Sequence, residues 1–199
     1  MTFNRLRLFF VLGFVLTLLT ACSTEQAPQF RNTDITGADY AKGFSLTDHT
    51  GQRRSLEDFR GKVVTVFFGF TQCPDVCPSA LATMSDVMKT LGDDAGRVQV
   101  LFITVDPERD TQELLAHYVP TFDPRFVGLF GSLEETAAVA KEFRVFYAKS
   151  GDTSGMNYSV DHSAGTYVFD PAGRLRLYVR HAESADSIAA DLRLLLDGH

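Results

Sequence analysis

Apolar residues along the chain fall into two alternating kinds of segment. Lys62 to Phe70, KVVTVFFGF, is an unbroken β-branched and aromatic run. It predicts a strand covered on both faces, in the middle of a sheet. After a short polar stretch, Leu81, Met84, Val87, Met88 and Leu91 recur three and four residues apart, the spacing of a helix that buries one face. Pro78 suits the first turn of that helix, where a missing N–H costs nothing. Val98 to Val105 predicts a second strand, followed by Asp106-Pro107 and a helix from Thr111 to Val119. The alternation continues with a strand at Val127 to Phe130, a helix from Ser132 to Phe143 and a strand from Arg144 to Lys149. Ser132-Leu133-Glu134-Glu135 has the form of a capping box.

The flanks read differently. Gly43 to Asp48, Thr50-Gly51 and Ser55-Leu56 describe two extended pieces around a turn, with Leu56 to Phe59 a helical turn. Downstream, a polar loop from Ser150 to Asp161 leads to Gly165–Phe169 and Arg174–Val179, two strands joined by Asp170-Pro171-Ala172-Gly173. That spacing predicts a hairpin. Ser187 to Leu196 closes the chain as an amphipathic helix. Alternating strands and helices with a terminal antiparallel hairpin predict an α/β fold, a mixed sheet with helices on both faces. No glycine-rich phosphate loop follows a strand, so nucleotide binding has no support.

The first residues belong to a different problem. Arg5 and Arg7 precede the apolar run Leu8 to Leu19, which has the length of a signal-peptide core and is short for a membrane span. It ends in Leu19-Thr20-Ala21-Cys22, a resemblance to the lipobox at which bacterial lipoproteins are cut and then acylated on the new N-terminal cysteine. The expected organisation is a leader at 1–21, a lipid anchor on Cys22 with a flexible tether over 22–36, and one domain over 37–199. The domain then lies outside the cytoplasm, tied to a membrane of the bacterial cell envelope. The chain has 19 basic and 25 acidic residues. Losing Arg5 and Arg7 takes the net charge from −6 to about −8. With no basic run, this excludes a nucleic-acid partner.

Two cysteines remain beyond the anchor, Cys73 and Cys77, in a compartment that oxidises idle thiols. A bond between them would close a loop of about five residues and remove little chain entropy, so the pair reads as chemistry rather than as a staple. Four positions apart, the side chains reach one helix face about 6 Å apart, and in a loop entering a helix the sulfurs can come closer. A helix N-terminus there favours negative charge and is expected to lower the thiol pKa values. Two thiolates suit Cu(I) or Zn rather than Mg or Ca, and a third ligand is needed. Three intervening residues, Pro74, Asp75 and Val76, give a wider bite than the two of thioredoxin-type motifs, favouring metal while still permitting a redox disulfide. Peroxide reduction has no supporting cysteine setting. His49, His117, His162, His181 and His199 compete for the third position. His162 is distinguished by a loop entering a strand, where parallel topology is expected to bring it to the site, and Asp161 beside it is a candidate to orient the ring.

Three blocks carry a family resemblance: Phe68 to Pro78, FGFTQCPDVCP; Thr104 to Thr111, TVDPERDT; and Asp161-His162-Ser163-Ala164 with the later Asp170-Pro171-Ala172-Gly173. In order and spacing they resemble the Sco/SenC family over about Phe44 to Leu196. The resemblance implies a thioredoxin-like fold with an added β-hairpin, copper held by Cys73, Cys77 and His162, and a role in assembling the dinuclear copper site of cytochrome c oxidase. The expected partners are the oxidase copper-site subunit, a periplasmic copper donor and a thioredoxin-like reductant. A metallochaperone, not an enzyme, is then the leading expectation. The rival is an extracytoplasmic thiol-disulfide oxidoreductase, with Cys73 and Cys77 as its redox pair and no need of His162. A Cu(II) form needs a fourth donor from water, Asp161 or Asp106, although Asp106 also reads as a loop and helix cap. The lipobox departs from relatives held by an uncleaved membrane helix.

Overall fold

The run Val63–Gly69 forms strand β4, and all seven of its residues are buried. Each Val or Phe removed from water there contributes about 1.5–3 kcal/mol, which fixes this strand at the centre of the sheet. In the computed structural model, which describes residues 29–199, it lies inside an eight-stranded sheet. The strands are β1 (Thr33–Asp34), β2 (Ser45–Asp48), β3 (Arg53–Ser55), β4, β5 (Val98–Thr104), β6 (Val127–Phe130), β9 (Thr166–Phe169) and β10 (Leu175–Val179), and they lie in the order β1-β10-β9-β4-β5-β6-β2-β3. A separate two-stranded sheet pairs β7 (Tyr147–Ser150) with β8 (Ser159–His162). The helices are α1 (Val76–Leu91), α2 (Gln112–Tyr118), α3 (Leu133–Glu142) and α4 (Ala185–Leu196). Helix α1 buries Cys77, Leu81, Met84, Val87, Met88 and Leu91 and packs against α4. The capping box at Ser132 and Glu135 is present at the start of α3.

Strand direction decides where chemistry can gather. β4 and β5 are parallel, with Val63 opposite Val98 and Gly69 opposite Thr104, so both release the chain at the same edge. β9 runs antiparallel to β4, with Phe67 opposite Thr166. The chain therefore enters β9 at the edge where β4 and β5 end.

Two expectations need correction. The tether does not reach Thr36: Thr33 and Asp34 pair with Tyr178 and Leu177 of β10, and Asn32 is buried. The Asp191 carboxylate accepts from the Arg31 and Asn32 backbone N–H groups and from Asn32 Nδ2. That buried carboxylate captures the polar segment which composition alone reads as free. The strand expected over 144–149 begins at Tyr147, because Arg144 sits at φ 54° and turns the chain at the end of α3, its guanidinium 4.4 Å from the Tyr40 ring centre. The second half of the polar loop supplies β8, so 147–162 is a hairpin. The leader, Cys22 and the first part of the tether lie outside the described residues. Among the described residues no helix is long and apolar enough to cross a membrane.

Candidate metal centre

Gly69 ends β4, and the next residues turn out of the sheet before α1 begins at Val76. The turn is held from below by Asp110, a buried carboxylate that accepts from the Thr71 N–H (3.0 Å), Thr71 Oγ1 (2.6 Å) and, at the end of β5, Thr104 Oγ1 (2.6 Å). Burial raises the Asp110 pKa, against these hydrogen bonds. Asp75 stands at the helix N-cap without a capping side-chain bond. The Cys77 N–H instead points at Cys73 Sγ, 3.4 Å away. A sulfur thus takes the place of the oxygen that normally satisfies an orphan N–H of the first turn. Cys77 is fully buried and Cys73 partly so, both as free thiols.

His162 is the last residue of β8, at the edge where β4 ends. Its ring meets Phe67 and Phe70 edge-on, with centroids 6.1 and 5.9 Å away. Nδ1 lies 3.0 Å from the Ser163 carbonyl oxygen. A carbonyl only accepts, so Nδ1 carries the proton and Nε2 the lone pair. Nε2 lies 3.4 Å from Cys77 Sγ. The ligand atoms of Cys73, Cys77 and His162 all lie within 4.8 Å of one another. Metal–ligand bonds of about 2.0–2.3 Å place three donors around one ion about 3.5–4 Å apart, so small side-chain adjustments close this triangle on an ion. The donor set, two sulfurs and one imidazole, is that of a soft metal.

The electrostatics differ from the expected depressed thiols. Burial pushes the Cys77 pKa strongly upward, opposed by a hydrogen bond from the Phe70 backbone and reinforced by Cys73 and Asp110. Desolvation outweighs the helix terminus because the sulfur is enclosed by side chains rather than open to solvent. Burial also lowers the His162 pKa, against the Ser163 hydrogen bond and the Asp161 charge. The metal-free site at neutral pH is a neutral imidazole facing a protonated Cys77.

Residues 32–197 match the SCO1/SenC family. The chain belongs to that family. It is 45% identical over 152 residues to the bovine protein named "Protein SCO2 homolog, mitochondrial", covering 75% of this chain and 57% of that one. It therefore spans less than two thirds of that relative. Among solved structures it resembles Bradyrhizobium japonicum ScoI with copper bound, at 39% identity and TM-score 0.70, over 76% of this chain and 96% of that one. The apo Sco1 protein of Thermus thermophilus, seen in solution, is 41% identical with TM-score 0.76, over 84% and 98% of the two chains. The thioredoxin-like SCO1/SenC fold, a mixed sheet flanked by helices with an added hairpin, is the one expected from sequence.

Against the Sco framework each histidine finds its place. His49 Nδ1 accepts from the Gly128 N–H at 3.0 Å, which ties the turn after β2 to β6. His117, His181 and His199 are exposed on other elements. His162 arrives by a route other than the expected one: the entering end of a parallel strand lies at the far edge, and only the antiparallel direction of β9 brings residue 162 to the cysteines. Asp161 does not orient the imidazole; its carboxylate accepts from Ser150 Oγ at 3.2 Å while the Ser163 carbonyl holds the ring. Asp106 is buried, pairs with Arg109 and accepts from the Tyr158 hydroxyl at 2.7 Å, so it is occupied rather than available as a fourth donor. Gln72, Arg109 and Asp110 also shape the site, and their mark in the sequence is their place inside the two blocks Phe68 to Pro78 and Thr104 to Thr111.

Proposed function

We propose that this Sco protein is a copper-binding metallochaperone that delivers copper to the dinuclear copper site of cytochrome c oxidase during assembly. The observation that carries this reading is the convergence of Cys73, Cys77 and His162, with Nε2 unprotonated and facing the sulfurs, in a family with a copper-bound member of the same fold. Copper is the cargo. The two sulfurs with the imidazole make a three-coordinate Cu(I) site, and Cu(II) takes a further donor such as water. Cys73 and His162 are only partly buried, so a thiolate of an acceptor can enter and take the ion over. Reduced thiols are required, which couples loading to redox state and gives a thioredoxin-like reductant a task. The lipobox supports anchoring through Cys22 to a membrane of the cell envelope, with the domain in the periplasm, where a copper donor and the oxidase copper-site subunit would meet it. A purely oxidoreductase role has less support, since it would leave the placement of His162 Nε2 against Cys77 Sγ without a purpose.

Titration of the reduced full chain with Cu(I) and Cu(II), followed by transfer to the isolated metal-free copper subunit of an oxidase, tests the reading. His162→Ala is expected to keep one Cu(I) per chain on its two sulfurs, to weaken it about 10- to 100-fold, and to lose a stable Cu(II) form. Equal Cu(II) affinity in the variant and the parent would count against the imidazole.

Proton linkage gives a second expectation. The ion binds the thiolate, and burial raises the Cys77 pKa, so each bound copper releases a thiol proton near neutral pH. The apparent Cu(I) affinity should rise with pH by about one decade per unit for each thiol proton released. The imidazole contributes no such dependence above its ordinary range, because its pKa is lowered. Competition with a chromogenic Cu(I) chelator at several pH values reads the slope, and a flat profile between pH 6 and 8 would contradict it.

A further inference from the structure

The strands β7 and β8 form their own sheet and do not hydrogen-bond to the main one. His162 therefore sits at the end of a hairpin, and an isolated two-stranded hairpin is at best marginally stable in water. Val160 and Tyr158 bury side chains in the core, and polar contacts fix the hairpin's place beside the cysteines. The densest set of polar contacts between hairpin and sheet centres on one buried side chain, Arg109, in the loop between β5 and α2.

Arg109 Nε pairs with the Asp106 carboxylate, and both side chains are almost fully enclosed. From the same guanidinium, the two N–H bonds of Nη1 are shared among three acceptors, the carbonyl oxygens of Met156 (3.0 Å) and Tyr158 (2.8 Å), in the segment that leads into β8, and Gln72 Oε1 (3.1 Å), on the residue before Cys73. Its Cζ lies 3.7 Å from the centre of the Tyr158 ring and 5.8 Å from that of Phe70, a ring that also meets the His162 imidazole edge-on. Lys149 Nζ, on β7 and paired with Glu108, stands 4.4 Å from the Tyr158 ring centre. Tyr158 is thus gripped by two cations, and its hydroxyl donates to the carboxylate that holds Arg109.

We propose that Arg109 is the positioning residue of the metal site, the single guanidinium that fixes the His162 hairpin against the cysteine loop at Gln72. The proposal rests on the copper-binding reading for its consequence but not for its geometry. Buried ion pairs are poor stabilisers compared with apolar packing of the same volume, and their better-attested role is to specify one arrangement. Here Nη2 is even buried without an acceptor, a cost that an apolar side chain would avoid and that follows from a fork committed to spanning two segments. Lysine has the charge but not the planar fork needed to reach Asp106, Gln72 and two carbonyls together.

Hydrogen exchange in the metal-free full chain reads the clamp without any copper. In Arg109→Gln the amides of Val160 to Ser163 are expected to exchange at least about tenfold faster, with β4 and β5 amides unchanged, as local opening without global unfolding requires. In the copper-loaded variant the Cu(II) absorption and electron paramagnetic resonance signature should change and Cu(II) affinity fall about 10- to 100-fold, while Cu(I) on its two sulfurs falls less. Arg109→Lys should lie between variant and parent. Parental exchange in the hairpin together with a parental Cu(II) signature would overturn the proposal. If the unaltered protein binds no copper but Arg109→Gln still loosens the hairpin, the copper reading fails and the clamp stands. Should Arg109→Gln not fold, Tyr158→Phe removes only the hydroxyl bond to Asp106; faster exchange at Val160 to Ser163 then supports the clamp, and unchanged exchange refutes it.

Discussion

Alanine at Cys73 or at Cys77 is expected to abolish stoichiometric copper binding, and the double variant to retain none through a desalting column. The reason is the loss of one of two soft donors. Either substitution leaves a single sulfur with an imidazole nitrogen, and Cu(I) held by one thiolate in a partly open site is readily taken by solvent thiols, whereas loss of His162 leaves both sulfurs. The two variants should differ in a second respect. Cys77 is fully buried in the core, so its truncation also leaves a small cavity and costs about 1 kcal/mol by the sum of transfer and cavity terms. In a chain of this size that corresponds to a fall of about 2–4 °C in Tm. Cys73 is partly exposed, and Cys73→Ala leaves no buried cavity, losing only the long sulfur contact to the Cys77 N–H, so its Tm should fall less than that of Cys77→Ala. Copper analysis beside thermal denaturation of the metal-free proteins separates lost ligation from lost folding. A double variant that keeps one copper per chain would refute the assignment of the site.

Gly69→Ala should damage both stability and metal binding from a position that contributes no ligand atom. Gly69 is the last residue of β4, and a Cβ there would lie 2.7 Å from Cys77 Sγ, 2.8 Å from Phe102 Cε2 and 2.9 Å from Phe67 Cε1. All three neighbours are buried side chains inside the core, so none can swing away into solvent. Overpacking of this kind costs about 1–3 kcal/mol, or about 2–12 °C in Tm. The sulfur is the closest of the three and should be pushed off its place opposite His162 Nε2, so Cu(I) affinity should fall together with Tm. Gly96→Ala is the control, since nothing lies within 4 Å of the Cβ it would add. A Gly69→Ala protein with parental Tm and copper affinity would show that the core beneath Cys77 is looser than these contacts imply.

Much of the architecture was legible because the strongest local signals agree with the tertiary environment. KVVTVFFGF carries no alternation and is buried on both faces. The apolar positions of α1 are the ones it buries, and the Ser132 box caps α3 as its spacing predicts. The unread elements lack such signals. Strands β1 and β8 are short and polar, and their formation depends on partners far along the chain: Asp191 and β10 for the first, Tyr147 to Ser150 for the second.

By itself the sequence determined which side chains could bind a soft metal, because sulfur and imidazole chemistry belongs to residue types, and it placed Cys73 and Cys77 within reach of each other because only three residues separate them where a loop enters a helix. It also singled out His162 among five histidines, through the resemblance of three blocks. Only the tertiary structure decided why His162 arrives, since the antiparallel pairing of β9 with β4 is set by packing across more than 90 residues of chain. The protonation of the site was likewise decided by the fold. A helix N-terminus read locally lowers a thiol pKa, but the core that closes over Cys77 raises it, and solvent exclusion is a property no local pattern contains.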